Sequence, residues 1–245
     1  MTMTDGDLAA HLAGVAGKIL IEVRESGMFE GKSLGKAGDQ TANQFLVHAL
    51  RQQRADDGLL SEEEKDNAER LSKERVWIVD PVDGTREYGE KRSDWAVHVG
   101  MALNGAPVLG AVALPGLGEV LRSDQPGQLP VAPEKLRMVV SRTRPAREAT
   151  GVCEAIGGEL VPMGSAGAKA MAILRGEADI YLHSGGQYEW DSCAPAAVAL
   201  GWGLHVSRID GSPLVYNQQD VYMPDLLICR KEHAAMVLRE VKAFL

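Results

Sequence analysis

The chain has 245 residues and carries 26 Lys+Arg against 34 Asp+Glu, a formal charge of −8, with 45% hydrophobic and 24% charged residues. That composition belongs to an ordinary soluble globular protein of one large or two small domains; it excludes a disordered or collagen-like chain, and the net acidity argues against a nucleic-acid polymer as a bulk electrostatic partner. Cys153, Cys193 and Cys229 are widely spaced and odd in number, which fits neither a disulfide framework nor a CxxC metal site and reads as reduced thiols of a cytoplasmic protein.

Thr4 or Asp5 is placed as the N-cap of a first helix with Leu8, Leu12, Val15, Ile19 and Val23 on one side. Asp5 and Asp7, with no basic region, do not read as a signal peptide. A second helix is predicted over 41–52, with Phe45, Leu46, Ala49 and Leu50 inward. Residues 54–60 read as a polar loop leading into Ser61-Glu62-Glu63-Glu64. The apolar run Val76-Trp77-Ile78-Val79 predicts a strand over 75–80 that stops at Asp-Pro. Between Asp94 and Glu119 lie 24 uncharged residues, long enough to cross a bilayer. Asn104-Gly105, Pro107 and Pro115-Gly116 interrupt them, and Val97, Val99, Met101 and Leu103 alternate with other residues, as do Val108, Gly110, Val112 and Leu114; the pattern is a β-hairpin.

Residues 122–135, with Pro126, Gly127, Pro130 and Pro133, form the predicted boundary between sub-domains 1–132 and 133–245. Beyond it strand and helix alternate, which implies a parallel or mixed sheet covered by helices. Strands are predicted over 136–141, 179–183 and 226–229, and helices over 145–156, 166–175, 196–200 with Asp191 as cap, and 232–244. Asp210-Gly211 is read as a hairpin turn.

The chemistry concentrates in Asp80-Pro81-Val82-Asp83-Gly84-Thr85. A strand delivers Asp80 to its end, and Asp83-Gly84 turns the chain into a helix start whose free N–H groups suit a phosphate. Two carboxylates three residues apart on such a turn converge, and hard divalent cations take oxygen donors of this kind. In isolation Asp-Gly marks an ordinary turn, an acidic loop is a solvated face and Asp191 is an N-cap. Glu62, Asp80, Asp83 and Asp191 together, each at an element terminus, point instead to a shared metal site.

Leu60-Ser61-Glu62-Glu63, Trp77-Ile78-Val79-Asp80-Pro81-Val82-Asp83-Gly84-Thr85 and Trp190-Asp191 resemble the three signature motifs of the inositol monophosphatase superfamily, Mg²⁺-dependent and lithium-sensitive phosphomonoesterases. The resemblance implies a layered αβαβα sugar-phosphatase fold, with an N-terminal α+β sub-domain on a mostly antiparallel sheet and a C-terminal α/β sub-domain. It implies two or three Mg²⁺ ions, replaceable by Mn²⁺, held by Glu62, Asp80, the Val82 carbonyl, Asp83 and Asp191. Phosphate would sit on Gly84 and Thr85, and Thr85 would pair with Asp39 to position and deprotonate a water, with Glu62 as accessory base. Around Asp39 the chain departs from the family's Ser-Pro-x-Thr-x-x-Asp word and reads Leu34-Gly35-Lys36-Ala37-Gly38-Asp39.

Thr85-Arg86-Glu87-Tyr88, Val140-Ser141-Arg142-Thr143 and Gly164-Ser165 followed by Lys169 are similar to words of the CysQ-type 3′-phosphoadenosine 5′-phosphate phosphatases. This branch implies removal of the 3′-phosphate of that nucleotide in sulfur assimilation, with the sulfated nucleotide as a second candidate. Ser141, Arg142, Gly164, Ser165 and Lys169 would be substrate contacts. The rivals are an inositol or fructose bisphosphate phosphatase on the same metals, a P-loop hydrolase and a Ca²⁺-binding module. Gly27-Met28-Phe29-Glu30-Gly31-Lys32-Ser33 has three residues between its glycines where Walker A has four, and the turn lacks the ligand ladder of an EF-hand. The expected partner is a small phosphorylated nucleotide, without nucleic-acid polymer or membrane and with a homodimer left open. His48 and His98 read as core or edge residues, Trp77 and Trp190 as packing anchors, and His183, Gln187 and Tyr188 as residues near the pocket.

Overall fold

The computed structural model describes residues 3–245. Helix α1 (Asp5–Glu25) starts at Thr4, whose hydroxyl accepts from the Asp7 N–H at 3.1 Å. Its buried stripe is Leu8, Leu12, Ala16 and Leu20, whereas Val15, Ile19 and Val23 are half-buried. The predicted face is therefore rotated. Small residues decide this: a Cβ on Gly17 would lie 2.7 Å from Pro115, so the helix rests on its Ala/Gly side.

Helix α2 (Gly31–Gln53) begins ten residues before the predicted 41. Three glycines in its first turns disfavour a helix on propensity alone. Packing overrides it, because the short helix α3 (Thr85–Gly89) lies against this face: a Cβ on Gly35 would meet Thr85 Cγ2 at 2.6 Å, and one on Gly38 would meet Tyr88 Cε1 at 2.6 Å. Asp39 therefore sits on a helix one turn beyond Gly35, on the side that faces Thr85.

The first sheet has the order β1-β2-β3-β4-β5, from β1 (Gly58–Ser61), β2 (Arg75–Asp83), β3 (Ala96–Leu103), β4 (Ala106–Leu114) and β5 (Glu119–Arg122). Only β1/β2 is parallel. β1 occupies the end of the predicted polar loop, and β2 runs three residues past its predicted stop. Asn104 (φ 50°) and Gly105 (φ 80°) are both left-handed, as the two-residue turn joining β3 to β4 requires.

The second sheet is mixed, with the order β7-β6-β8-β10-β9: β6 (Arg137–Ser141), β7 (Glu159–Met163), β8 (Ile180–Tyr188), β9 (His205–Ser207) and β10 (Tyr222–Cys229). β6 runs parallel to β7 and β8, while β10 is antiparallel to β8 and β9. The edge strands β7 and β9 are short and lay outside the predicted elements. Asp210-Gly211 does form a turn, but β9 and β10 are joined by residues 208–221 rather than by a tight hairpin.

Helices α1 and α2 cover the outer face of the first sheet, α5 (Ala166–Leu174) and α6 (Glu189–Gly201) lie between the sheets, and α4 (Arg147–Ala155) and α7 (Lys231–Val241) cover the second. The layers are αβαβα. Residues Cys193, Ala194, Pro195, Ala196 and Ala197 of α6 are all buried, and Cys193 and Ala194 rest directly on glycines of the first sheet. A Cβ on Gly110 would lie 2.5 Å from the Ala194 carbonyl oxygen, and one on Gly100 2.8 Å from its nitrogen. This approach brings the start of α6, and Asp191 with it, down to the end of β2. The three cysteines are buried and unpaired.

Candidate active site

Residues 80 and 83 of a regular strand point to opposite faces. In the β2/β3 ladder Asp80 pairs with His98 and Asp83 with Ala96, so three steps on β2 face two on β3. The extra residue is a bulge, and it returns Asp83 to the side of Asp80. Pro81, which has no N–H to donate, sits within it. Asp191, in the first turn of α6, accepts from the Tyr188 N–H at 2.7 Å and joins them. Carboxylate oxygens of Asp80, Asp83 and Asp191 lie within 4.8 Å of one another. Glu62 extends from the end of β1 into contact with the Asp80 carboxyl; the residue is exposed as a whole while its carboxyl group is ringed by protein.

The electrostatics are those of a cage short of positive charge. Burial, and then the charges of Glu62, Asp83 and Asp191, push the Asp80 carboxyl well above the usual range. Burial and the charge of Asp83 raise Asp191 to about 7. Glu62 is raised to about 7 by desolvation, with Asp39, Glu63 and Asp83 adding to it. Asp83 behaves differently. Burial pushes it upward, but His98, Lys169 and Ser165 outweigh that and hold it at about 2. It accepts from the N–H groups of Ala166 (3.0 Å) and Gly167 (2.6 Å) at the start of α5, and from the Ser165 hydroxyl. The donor set is thus all hard oxygen with several carboxylates whose charges lack compensation, which fits a divalent cation of the Mg²⁺ or Mn²⁺ type.

Thr85 opens α3 behind Gly84, whose φ of 88° a side chain would strain and whose Cβ would crowd Ser165 at 3.2 Å. The first amides of α3 have no acceptor within the helix. Thr85 Oγ1 lies 3.1 Å from the Val82 carbonyl and 3.4 Å from Asp39 Oδ1, so its single proton is shared between them. Burial and the nearby Glu63 raise Asp39 to about 7. Val82 itself is fixed by its N–H on Asp80 Oδ1 at 3.0 Å.

Asp39, Glu62, Asp80, Val82, Asp83, Gly84, Thr85, Ser165 and Asp191 are therefore brought together. Gly164 adjoins them, its N–H on Asp94 at 2.7 Å. Ser141 ends β6 and accepts from the Arg144 N–H. Two expected anion contacts are differently placed. Arg142 lies at the rim, donating to Glu87 at 2.6 Å and Glu90 at 3.0 Å. Lys169 is buried, and its ammonium donates to the carbonyls of Gly164 (2.9 Å) and Ser165 (2.6 Å), holding a turn in which Ser165 has φ 38°. Gln187 is buried on the Tyr181 hydroxyl, Tyr188 stacks on Trp190, and His183 Nε2 lies 2.9 Å from the Gly185 carbonyl.

His98 is correctly placed by the sequence as a core residue of the strand but is given no part in the site. It is fully buried, with Nδ1 at 3.0 Å from the Trp190 carbonyl and Nε2 at 3.1 Å from Asp83 Oδ2. Burial would lower its pKa, but the Asp83 carboxylate outweighs burial and raises it. The one available signal was its place between Ala96 and Gly100 on the hairpin face that carries small residues.

A model of the inositol monophosphatase family matches residues 7–244. The chain belongs to that family. Among the members similar to this inositol monophosphatase relative are the 3′-phosphoadenosine 5′-phosphate phosphatase of Mycobacterium leprae (strain TN), 47% identical over 255 residues that cover 98% of this chain and 94% of that one. The protein of the same name from Mycobacterium bovis is 49% identical over 234 residues, 91% of this chain and 88% of that one. The solved structure of CysQ from Bacteroides thetaiotaomicron, a bacterial member of the family, matches with a TM-score of 0.79 at 24% identity, over 91% of this chain and 96% of that chain. Among the described residues no helix is long and apolar enough to cross a membrane.

Proposed function

We propose that this family member is a divalent-cation-dependent phosphomonoesterase that removes the 3′-phosphate of 3′-phosphoadenosine 5′-phosphate. The observation that carries the reading is the convergence of Asp80, Asp83 and Asp191 beside the first amides of α3. The nucleotide is chosen because the two mycobacterial relatives that bear this activity in their names are 47% and 49% identical to the chain. The sulfated nucleotide is a second substrate of the same reading, and the setting is sulfur assimilation in the cytoplasm.

Glu62, Asp80, the Val82 carbonyl, Asp83 and Asp191 would hold two or three Mg²⁺ ions, with Mn²⁺ able to replace them and Li⁺ inhibitory. When bound, such ions lower the pKa of a water and offset charge on the leaving oxygen. The amides of Gly84 and Thr85 donate to the phosphoryl oxygens. Thr85 orients the attacking water through its hydroxyl oxygen and relays one proton: the water's proton goes to Thr85 Oγ1 as the Thr85 hydroxyl proton goes to Asp39, with Glu62 as an accessory acceptor. Attack is in line, and no side chain becomes phosphorylated. Lys169 acts on the substrate through the Gly164-Ser165 turn, whose carbonyls it holds. Arg142 would reach a second phosphate by exchanging Glu87 and Glu90 for it, alongside Ser141. We also read the chain as sub-domains 1–132 and 133–245, in keeping with the absence of any strand between Arg122 and Arg137; a homodimer is compatible with this reading.

The deciding experiment is a comparison of kcat/KM in Mg²⁺ for the adenosine bisphosphate, its sulfated form, inositol 1-phosphate and fructose 1,6-bisphosphate, with and without Li⁺. The reading expects the adenosine bisphosphates to lead by at least about tenfold. Equal or better turnover of inositol phosphate would reassign the substrate, and turnover unaffected by chelation would remove the metal site.

A further inference from the structure

We propose that His98 is a positioning residue that fixes the two parts of the carboxylate cage against each other, so that cation affinity depends on it. The cage is built from two unconnected pieces of chain, the bulge of β2 with Asp80 and Asp83 and the first turn of α6 with Asp191. His98 stands on a third element and touches both. Its backbone pairs with Asp80 in the β2/β3 ladder. Its Nδ1 lies 3.0 Å from the carbonyl oxygen of Trp190, the residue before Asp191. A carbonyl only accepts, so Nδ1 carries the proton and donates. Its Nε2 lies 3.1 Å from Asp83 Oδ2, in a geometry outside that of a well-formed hydrogen bond, and is one of the few buried side-chain nitrogens of the described residues without another partner.

The surroundings are shaped to admit this ring and little else. A Cβ on Gly167 would fall 2.0 Å from Nε2, so position 167 must be glycine while the imidazole is present. The N–H of Gly167 in turn donates to the same Asp83 oxygen at 2.6 Å. On its strand face His98 is flanked by Ala96 and Gly100, both packed into the central layer, where an apolar side chain would cover the same area without the cost of burying two ring nitrogens. A rigid ring with a nitrogen toward each piece of the cage sets their separation, which no apolar residue of equal volume does. Ligands held by such outer partners lose order when the partner is removed, and metal affinity typically falls about 10- to 100-fold.

The inference takes the cage from the phosphatase reading but is tested without substrate. Mn²⁺ is titrated calorimetrically into the wild-type protein, His98→Phe and His98→Gln, with thermal melts of each. Phe fills the space without a donor and should weaken Mn²⁺ binding by about 10- to 100-fold. Gln restores an amide donor and should recover part of the loss. In turnover, the Mg²⁺ concentration for half-maximal rate should rise by more than kcat at saturating Mg²⁺ falls. Should His98→Phe fail to fold, His98→Gln and His98→Asn decide: Asn sets a donor near the Nδ1 position at the Trp190 carbonyl and Gln one near the Nε2 position at Asp83, so each keeps one of the two contacts and should bind Mn²⁺ more weakly than wild type. Variants that bind Mn²⁺ within about twofold of wild type, or whose losses follow melting temperature with no advantage of either amide over Phe, would overturn the proposal. Wild-type protein that binds no cation would remove the cage and the proposal together, an outcome distinct from binding that all variants share.

Discussion

Asp80 and Asp83 stand three residues apart on one strand, yet their carboxylates lie within 4.8 Å because β2 carries one residue more than β3 between them. The bulge, rather than the spacing alone, makes the two acids a pair.

Asp83 is the cage member that stays charged without a cation, held by the Ser165 hydroxyl and the Ala166 and Gly167 N–H groups, with His98 and Lys169 nearby. In Asp83→Asn the amide would turn a donor toward Ser165, Ala166 or Gly167, and one negative charge would leave the cage. Phosphatase activity in Mg²⁺ should fall by more than the about 100-fold upper range for outer partners of a metal, while the circular dichroism spectrum is retained. Near-normal turnover would refute its role as a ligand.

Thr85 and Asp39 meet only because Gly35 lets α2 and α3 touch. Thr85→Ala should lower kcat by about 10²- to 10⁴-fold with a much smaller change in KM, as expected for a lost proton-handling group. Asp39→Asn should lower kcat in the same way, and the double variant should be no worse than the poorer single one, because the two act as a unit. Additive losses would show that they act separately.

Asp39, Glu62 and Asp191 titrate at about 7 in the folded chain without cation, against about 4 when unfolded. The folded state then holds more protons over that interval, so stability falls as pH rises from about 4 through about 7. Chelated protein should melt at a higher temperature at pH 5.5 than at pH 8. Mg²⁺ should raise the melting temperature strongly at pH 8 and weakly at pH 5.5, since bound cation displaces those protons. The opposite order in either comparison would contradict the raised carboxyls.

Gly110 is where the first sheet admits α6. Gly110→Ala would put a methyl 2.5 Å from the Ala194 carbonyl oxygen, with backbone as the obstacle. A cost of about 1–3 kcal/mol is expected for overpacking of this kind, or about 2–4 °C of melting temperature per kcal/mol for a chain of this size. Urea unfolding measures it directly, and an unchanged midpoint would mean that the sheet yields.

The turn motif, the acidic loop and Trp190-Asp191 were legible because each is a local word at an element end. The Asn-Gly hairpin was legible for the same reason, since both left-handed residues are named in the sequence. What escaped reading depended on partners distant in the chain. The first turns of α2 are poor helix by propensity; a Glu30–Ser33 capping box starts them, and the contact of Gly35 and Gly38 with α3 holds them. His98 looked like a strand residue of the core, and its meaning rests on a register that includes the bulge. Lys169 was recognised as part of a substrate word, but its burial on two carbonyls of its own turn follows from the packing of α5, which no spacing displays.

Helix α6 is joined by chain to the second sheet and rests Ala194 on Gly100 and Gly110 of the first. Neither half can therefore dry its inner surface alone. Fragments divided within 123–136 should each stay sticky and loosely ordered in isolation, and should regain a common melting transition when mixed in equal amounts.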